Sequence, residues 1–384
     1  MQATTIFTLP KLLTAYLSCR RHKRKSSNAL LFELFLETKL LKLQEDLRSH
    51  TYRPRRSICF AVTHPKLREI FAADFCDRII HHLLINEIEP YFERRFIFAS
   101  FACRKEKGCH AAVSHLRKHI NLITKNKTQN AYFLQLDIKS YFPAIDKNIL
   151  FGIIEKNIHQ KELIWLAKII IFHDPTQNYR QKGKKELLRQ IPPNKSLFGV
   201  PKTKGLPIGN LTSQFFANVY LNKLDQFIKR KLKIKHYLRY VDDLILLSEN
   251  PDQLWQWRKE ISLFLAKTLQ LELHPDKDKF GSVYQGIDFL GYVTKPTYTL
   301  TRNRVVNNLK TKLYYFNKNV LVNGAPDKKA IKTALSMINS YYGHFLHGNC
   351  YRLRRNIYEK HFGALKEYLT PARNYSYFHY GKPR

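Results

Sequence analysis

The chain has 384 residues, of which 44% are hydrophobic and 13% aromatic, so it can bury a sizeable core and is predicted to fold as two or three packed subdomains. Lysine and arginine number 66 against 30 acidic residues, and the formal charge of +36 favours nucleic acid as a polyanionic partner. A membrane partner is disfavoured, because no uninterrupted apolar run approaches the roughly 18 residues of a spanning helix.

The N-terminal region carries its positive charge after an apolar stretch, which is the reverse of a secretory signal. A run of basic residues stands there, and it predicts an arm that contacts phosphates. The run consists of Arg20, Arg21, Lys23, Arg24 and Lys25.

The six cysteines show no CxxC pair, so neither a zinc ribbon nor a disulfide framework is indicated, and reduced thiols in a cytoplasmic protein are expected. Cys103, Cys109 and His110 lie close in sequence and could ligate a metal ion. A fourth ligand at suitable spacing is missing, however, so these residues are interpreted as incidental.

Residues 75–96 have helical apolar periodicity, and Pro90 predicts a break in that helix. His81 and His82 are adjacent and therefore point to different sides of it, which makes them poor joint metal ligands. They are interpreted as structural residues.

The run AYFLQLDIKSYFPAI at residues 131–145 predicts a buried strand that carries one acid, Asp137. Residues 204–232 then predict a tight turn opening an amphipathic helix, with Asn210 or Thr212 as its cap. The run HYLRYVDDLILLSEN at residues 236–250 predicts two short strands with an acidic tip between them.

The acidic tip is the strongest chemical signal in the chain. Asp242 and Asp243 are flanked by apolar strand residues, where two close carboxylates repel each other and one is driven toward protonation. A divalent cation removes that cost, and Asp137 on another strand could complete the ligand set. Magnesium suits carboxylate, water and phosphate ligands, and two ions about 3.5–4 Å apart would support an in-line nucleotidyl transfer.

The order of these segments resembles the reverse transcriptase family. LDIKSYF at 136–142 is similar to the family's acidic palm strand, LPIGNLTSQ at 206–214 to its nucleotide loop, and YVDD at 240–243 to its catalytic hairpin. LELHPDK at 271–277 and FLGY at 289–292 follow as two further family blocks. The resemblance extends back to REIFAADFCDRIIHH at 68–82 and forward to SYYGHFLHG at 340–348.

The resemblance implies an α+β fold of the right-hand polymerase type, with fingers and palm around an antiparallel sheet and a helical thumb. The expected domains are a basic helical N-terminal extension at 1–59, fingers and palm at 60–295, and the thumb at 296–384. The substrates would be template RNA, a DNA or RNA primer and dNTPs, with two Mg²⁺ ions, or Mn²⁺ as a substitute. A bacterial or phage-encoded cytoplasmic enzyme is expected.

Site roles carried over by this resemblance fall into three groups. The metal ligands would be Asp137, Asp242 and Asp243, with the Ile138 carbonyl as a further oxygen. Nucleotide binding would involve Arg68, Ile138, Phe142, Ile208, Gly209, Gln214 and Lys277, with Lys279 as the alternative to Lys277. The turn that grips the primer end would be Phe289, Leu290, Gly291 and Tyr292.

Phe142 falls where the family places the ring that excludes a ribose 2′-hydroxyl, although it could instead be a core residue. Arg68 stands where the fingers would offer a cation to the triphosphate. Both roles come from the resemblance.

The nucleotide loop suggests the branch of the family. Retroviral and group II intron enzymes usually carry QGxxxSP there, whereas residues 208–214 read IGNLTSQ, which resembles the loop of diversity-generating retroelement enzymes. Those enzymes copy a template RNA with errors at adenine during mutagenic retrohoming. The resemblance also implies a small, basic, helical, oligomeric accessory protein as a partner.

Other interpretations stay open at this point. Within enzymes, the alternative is a retron, group II intron-like or defence-associated reverse transcriptase. From another class, the chain could be an RNA-binding scaffold that retains a polymerase fold without activity. A viral RNA-dependent RNA polymerase is more distant, because its hairpin is usually G-D-D.

Overall fold

The computed structural model describes residues 6–21, 26–64, 66–320 and 328–381, apart from the side chains of residues 319 and 320. Three residues of the basic run, Lys23, Arg24 and Lys25, lie outside the described residues. The helices are α1 (Leu9–Arg20), α2 (Ser27–Glu33), α3 (Leu36–Arg48), α4 (Phe75–Glu93), α5 (Cys109–Ile123), α6 (Tyr141–Ala144), α7 (Lys147–Glu155), α8 (Lys161–Phe172), α9 (Lys185–Arg189), α10 (Leu211–Gln226), α11 (Pro251–Phe264), α12 (Asn303–Val320), α13 (Lys328–Leu346) and α14 (Tyr351–His361).

The strands are β1 (Ser57–Val62), β2 (Arg68–Ala72), β3 (Tyr132–Asp137), β4 (Tyr179–Gln181), β5 (Tyr237–Tyr240), β6 (Asp243–Ser248), β7 (Lys279–Ser282), β8 (Ile287–Phe289), β9 (Tyr292–Thr294), β10 (Thr299–Thr301), β11 (Leu369–Pro371) and β12 (Phe378–Tyr380). One sheet has the order β5-β6-β3-β7, with β3 antiparallel to β7 and Tyr132 opposite Ser282. A second has the order β2-β1-β4, with β1 antiparallel to β2 and parallel to β4. The antiparallel sets β10-β9-β8 and β11-β12 complete the strands.

Two compact units divide the chain. The first contains Met1–Arg104, Leu136–Leu244 and Trp255–Asp278, and the second contains Lys105–Gln135, Ile245–Leu254 and Lys279–Arg384. In the first, α4 packs against α1 and α10, and α7 packs against α8. In the second, α12, α13 and α14 enclose an apolar cluster that includes Leu309, Ile338, Tyr342 and Phe362.

The predicted α+β class is confirmed, and β5 and β6 lie where the apolar run indicated. The strand predicted over residues 131–145 is shorter than expected, because β3 ends at Asp137 and Tyr141–Ala144 forms the helix α6. The predicted break at Pro90 is wrong, because α4 continues through Pro90 to Glu93. Pro90 lies in the last turn of the helix, so its missing N–H removes one hydrogen bond near the end rather than splitting the helix. His81 is buried on the same helix, as expected for a structural residue.

Asn210 occupies the N-cap position of α10, as predicted, but its side chain does not cap the helix. Its Oδ1 instead accepts a hydrogen bond from the Ala73 N–H at 3.1 Å. All six cysteines are free. In the described parts of the chain, no helix combines the length and apolar character required to cross a bilayer.

Candidate active site

The acidic hairpin forms because β5 ends at Tyr240 and β6 begins at Asp243, which leaves Val241 and Asp242 to make the turn. Val241 has φ of 56°, in the left-handed region. A β-branched residue rarely adopts that conformation, because its side chain crowds the backbone. A strained turn of this kind persists only when its surroundings fix it.

Arg239 makes the contacts that hold this turn in place. Its Nη1 donates to the Val241 carbonyl oxygen at 3.0 Å and to Asn218 Oδ1 at 3.2 Å. Its Nη2 donates to Asp225 Oδ2 at 2.7 Å and to Ser100 Oγ at 2.9 Å. Both members of the Arg239–Asp225 pair are fully buried. Burial alone would lower the pKa of the Arg239 guanidinium, but the Asp225 carboxylate outweighs it and the pKa is raised.

The sequence interpretation missed this ion pair. Two signals could have indicated it: a lone arginine inside the apolar strand YLRY, and Asp225 on the apolar side of α10. Charged residues are almost never fully buried without a partner, so an arginine in a buried strand predicts an acid within reach. The strand pattern does not say which acid that is.

Asp137 is the last residue of β3 and contacts the segment that follows α11. The His274 N–H donates to the Asp137 carbonyl oxygen at 2.8 Å, and the Lys139 N–H donates to the Glu272 carbonyl oxygen at 2.9 Å. These two bonds flank Ile138, which pairs with Leu273. The segment is thereby held so that Lys277 Nζ lies 2.9 Å from Asp137 Oδ1.

Lys277 rather than Lys279 therefore reaches the catalytic strand end. Lys279 is the first residue of β7 and pairs in register with Gln135.

The charges around Asp242 form one electrostatic group. Burial raises the pKa of the Asp242 carboxyl above its ordinary value, and the negative charge of Asp137 raises it further. The cations of Arg68 and Lys277 oppose that rise. The structure therefore brings together Asp137, Asp242, Arg68 and Lys277, four of the residues that the sequence predicted for the site.

Asp137 and Asp242 have the chemistry of divalent-cation ligands, although their side chains are not arranged around a metal position. A half-buried carboxyl whose ionised form is disfavoured by burial and by a neighbouring carboxylate is stabilised when a cation binds both. Asp243 stands next to Asp242 at the start of β6. In the described residues, no three His, Cys, Asp or Glu side chains are arranged to hold a metal ion, and Asp137 instead contacts Lys277. Metal binding by Asp137 would therefore compete with its contact to Lys277.

The nucleotide loop is attached to β2, the strand that begins at Arg68. The Phe71 N–H donates to the Ile208 carbonyl oxygen at 2.9 Å, next to the bond from Ala73 to Asn210. Gly209 has φ of 121°, and a Cβ there would lie 2.7 Å from Ile70 Cγ2. Only glycine allows this close approach. Gln214 lies exposed on the first turn of α10.

Phe142 lies in the short helix α6, and its side chain is half-buried. The Leu206 N–H donates to the Phe142 carbonyl oxygen at 2.9 Å, so the start of the nucleotide loop is bound to this helix. Phe142 thus lies beside the start of the predicted nucleotide loop and is partly exposed, and its role as the ring that excludes a 2′-hydroxyl stays a prediction.

The predicted primer-grip turn lies in the other unit. Leu290 and Gly291 have φ of 51° and 89°. The Tyr292 hydroxyl donates to the His344 carbonyl oxygen at 2.8 Å and lies 3.0 Å from His344 Nδ1 and 3.2 Å from His110 Nδ1. Burial lowers the pKa of both imidazoles, with His347 adding to the effect. The sequence interpretation did not foresee these contacts.

Comparison with known proteins identifies the family. The family described as reverse transcriptase (RNA-dependent DNA polymerase) matches residues 63–294, which is more than half of the chain. The chain belongs to the reverse transcriptase family. Its matched region contains the acidic hairpin, Asp137, the nucleotide loop and the turn at Leu290, so the family and the predicted site coincide in sequence. Reverse transcriptases synthesise DNA on a nucleic-acid template from a primer and dNTPs, and their domains generally use divalent metal ions.

The curated relatives of this reverse transcriptase are distant. Protein YkfC of Escherichia coli is 22% identical over 69% of this chain and 73% of its own length. The group II intron-encoded protein LtrA of Lactococcus lactis is 22% identical to this chain. The match covers 72% of this chain and 54% of the length of LtrA. Among solved structures, an apo telomerase from Candida tropicalis, truncated from its C-terminal domain, matches 67% of this chain and 59% of its own, with a TM-score of 0.45 and 13% identity.

Proposed function

We propose that this reverse transcriptase copies an RNA template into cDNA with Asp137, Asp242 and Asp243 as the ligands of two Mg²⁺ ions. The observation that carries the proposal is the electrostatic coupling of Asp242 to Asp137 within reach of two cations, Arg68 and Lys277. The bound ions would activate the primer 3′-hydroxyl and stabilise the charge that develops on the phosphates.

The protein's own residues supply position and charge. Arg239 holds the Val241 turn, so Asp242 and Asp243 are presented without reorganisation. Arg68, at the start of β2, would contact the triphosphate. Lys277 would leave Asp137 for the departing pyrophosphate when the ligands bind. Electrostatic groups fixed in advance of the reaction contribute most to catalysis of this kind.

The test of the metal ligands is the double variant Asp242→Asn and Asp243→Asn. DNA synthesis should be abolished, because the ligands are lost, while the melting temperature should stay unchanged or rise, because like charges are removed. Primer extension with Mg²⁺ or Mn²⁺ and thermal melting measure the two effects. Asp252→Asn and Asp276→Asn are matched controls on exposed or partly exposed acids that should retain activity. Extension retained by the double variant would contradict the assignment.

We also propose the branch: an error-prone reverse transcriptase of a diversity-generating retroelement, acting in mutagenic retrohoming. The IGxxxSQ loop supports this, because Ile208 stands where relatives carry a glutamine amide. An amide can hydrogen-bond near the incoming nucleotide and isoleucine can only pack, so mispaired nucleotides would lose less transition-state stabilisation. By the same resemblance, a small, basic, helical, oligomeric accessory protein is the proposed partner.

Ile208→Gln should lower misincorporation several-fold, since one net hydrogen bond contributes roughly 1 kcal/mol. The effect should be largest opposite template adenine. Because the Ile208 contact to β2 uses its backbone carbonyl, the loop should keep its place in the variant. Sequencing of cDNA from one template with all four bases measures the error spectrum, with Ile208→Leu as the matched control. Equal spectra for all three proteins would remove Ile208 from the fidelity mechanism.

A second candidate is favoured by the names of the relatives. LtrA is described as intron-encoded and covers 72% of this chain. We keep a group II intron-like role as the alternative. Sequencing the products made in cells distinguishes the two: cDNA enriched in substitutions at adenines supports the retroelement role, and faithful copies of an intron support the alternative.

A further inference from the structure

A polar cavity of about 160 Å³ lies in the first unit, outside the catalytic residues. It is formed by the start of α7, the turn after α8 and the segment that leads to the nucleotide loop. Its lining includes Lys147, Asp174, Phe198, Lys202 and Lys204. One water requires roughly 10–15 Å³ of such space, so the cavity can hold a group about tenfold larger.

Lys147 is the unusual residue of this cavity. It is only 3% exposed, and among the described residues Asp174 is the one charged group that acts on its ammonium. Burial lowers the pKa of the Lys147 ammonium, and the more distant charge of Asp174 opposes that shift. A buried charge without a close partner is costly, so this position favours an anionic ligand.

Asp174 does not serve as a close anionic partner of Lys147, because both of its carboxylate oxygens already accept hydrogen bonds from other residues. Thr176 donates to Asp174 Oδ1 through its N–H at 3.0 Å and its hydroxyl at 2.7 Å, and Gln177 Nε2 donates to Oδ2 at 3.2 Å. The cavity therefore combines three lysines with one carboxylate that is saturated elsewhere. Its net charge is positive.

The segment that lines the cavity is hydrogen-bonded to the residues that follow the β3 strand. The backbone of Lys204 forms an isolated antiparallel β-bridge with that of Asp146. The Gly205 N–H donates to the Ile145 carbonyl oxygen at 2.8 Å. The next residue, Leu206, binds Phe142 and begins the nucleotide loop. The segment that lines the cavity therefore runs directly into the start of the predicted nucleotide loop.

Phe198 adds an aromatic surface to the lysines. Its side chain is 49% exposed, while its ring packs against Tyr179 at 5.4 Å and Phe71 at 5.7 Å between centroids. The ring is thus held in place and still accessible. Fixed aromatic rings beside cations are the usual platform on which single-stranded nucleic acids stack their bases.

We propose that this cavity binds one nucleotide of a single-stranded template, with its phosphate on Lys147, Lys202 and Lys204 and its base on Phe198. The site rests on the proposed RNA-copying function for the identity of the strand. It does not depend on the catalytic carboxylates or on the branch of the family.

The first experiment measures binding of a fluorescently labelled single-stranded RNA by anisotropy, without dNTPs or metal, so a protein that fails to polymerise still tests the cavity. Lys202→Gln with Lys204→Gln should weaken binding and reduce the slope of log affinity against log salt by about 0.7 for the lost phosphate. Phe198→Ala should weaken binding about tenfold. Lys184→Gln with Lys185→Gln removes the same charge from exposed positions outside the cavity. An equal loss in this control pair would overturn the site.

Lys147→Met provides a second, independent measurement. The free protein should melt at an unchanged or higher temperature, because an unpaired buried charge is replaced by an apolar side chain of similar length. The rise in melting temperature on adding RNA should shrink. A lower melting temperature with unchanged RNA binding would show that Lys147 only supports Asp174, and would overturn the proposal.

A free nucleotide has the same phosphate and base as a nucleotide of the template strand. A binding titration with a labelled dNTP distinguishes these two ligands. Under the proposal, the variants of Lys147, Phe198, Lys202 and Lys204 lose affinity for RNA and not for the dNTP. The reverse pattern would identify a nucleotide pocket and exclude the template site.

Discussion

Two tight turns of this reverse transcriptase, one at Val241 in the predicted catalytic hairpin and one at Leu290 in the predicted primer grip, both place a non-glycine residue at positive φ. Val241 has φ of 56° and Leu290 has φ of 51°, and neither residue is glycine. Such positions store strain and are held by their surroundings. The two turns lie in different compact units and are held by different chemistry.

The catalytic turn is held by a fully buried ion pair, because Arg239 binds both Asp225 and the Val241 carbonyl. The primer-grip turn is followed by Tyr292, whose hydroxyl contacts His344 and lies beside His110. Arginine stays charged at every accessible pH, whereas imidazoles titrate near neutrality. The turn at Val241 is therefore held by a permanent charge, while the turn at Leu290 is followed by a residue that contacts groups sensitive to pH.

The largest effect is expected from Asp225→Ala, which leaves Arg239 buried without its carboxylate. Removing one partner of a buried pair costs about 3–5 kcal/mol, so a large fall in the free energy of unfolding is expected. Denaturant unfolding and primer extension measure stability and activity.

The double variant Asp225→Leu with Arg239→Met separates stability from positioning. It should recover much of the stability, because no unpaired charge is left, but it cannot restore the bond to the Val241 carbonyl. Its kcat should therefore stay low while its KM for dNTP changes less. Full activity in the double variant would mean that the ion pair serves folding alone.

The sequence predicted the fold class and the strands that carry Asp137 and Asp243, because an apolar run interrupted by a single acid or an acidic pair is typical of a buried strand. It also predicted the tight turn that precedes α10, where the φ of 121° at Gly209 and its close approach to Ile70 require glycine. These features are local in the chain, so a pattern of neighbouring residues can reveal them.

The side-chain contacts beside the two turns were not predicted, because the two residues of each contact are far apart in sequence. Arg239 and Asp225 are 14 residues apart, and Tyr292 and His344 are 52 apart. The helix through Pro90 was mispredicted because the cost of a proline depends on how near it lies to the helix end. The roles assigned to all the site residues, from the metal ligands to the primer grip, and the expected domain boundaries stay predictions.

A smaller effect is expected from pH, and it should concern the primer-grip turn. Burial places the folded-state pKa values of His110 and His344 below their ordinary 6.5. Their contribution to stability is therefore complete above pH 6.5 and is lost as the pH falls below it, because the unfolded chain binds protons more readily. As the pH falls below 6.5, the His344→Phe variant should lose less stability than the wild type.

Melting curves of both proteins across neutral and mildly acidic pH provide the measurement, and the difference between them isolates His344. His81, with a pKa of about 3, and Asp77, with a pKa of about 6, contribute slopes of opposite sign that are common to both proteins. Parallel curves would show that His344 titrates without affecting the turn.

The smallest effect is expected from Tyr292→Phe, which removes only the hydroxyl beside the primer-grip turn. The Tyr292 hydroxyl donates to the His344 carbonyl oxygen at 2.8 Å, and the ring stacks on the His344 imidazole with centroids 4.2 Å apart. Phenylalanine keeps the stacking and loses the hydrogen bond, so the free energy of unfolding should fall by about 1 kcal/mol. This is several-fold less than for Asp225→Ala, because the loss of one neutral hydrogen bond at the buried Tyr292 leaves no unpaired charge behind. Primer affinity, measured by anisotropy with a labelled primer-template, should weaken while the rate of chemistry at saturating primer stays unchanged.

Tyr284→Phe is the matched control, since its hydroxyl also donates to a backbone carbonyl, that of Gln129 at 3.0 Å, outside the turn. Equal losses of primer affinity in the two variants would mean that the Tyr292 bond stabilises the unit in general and does not position the primer grip.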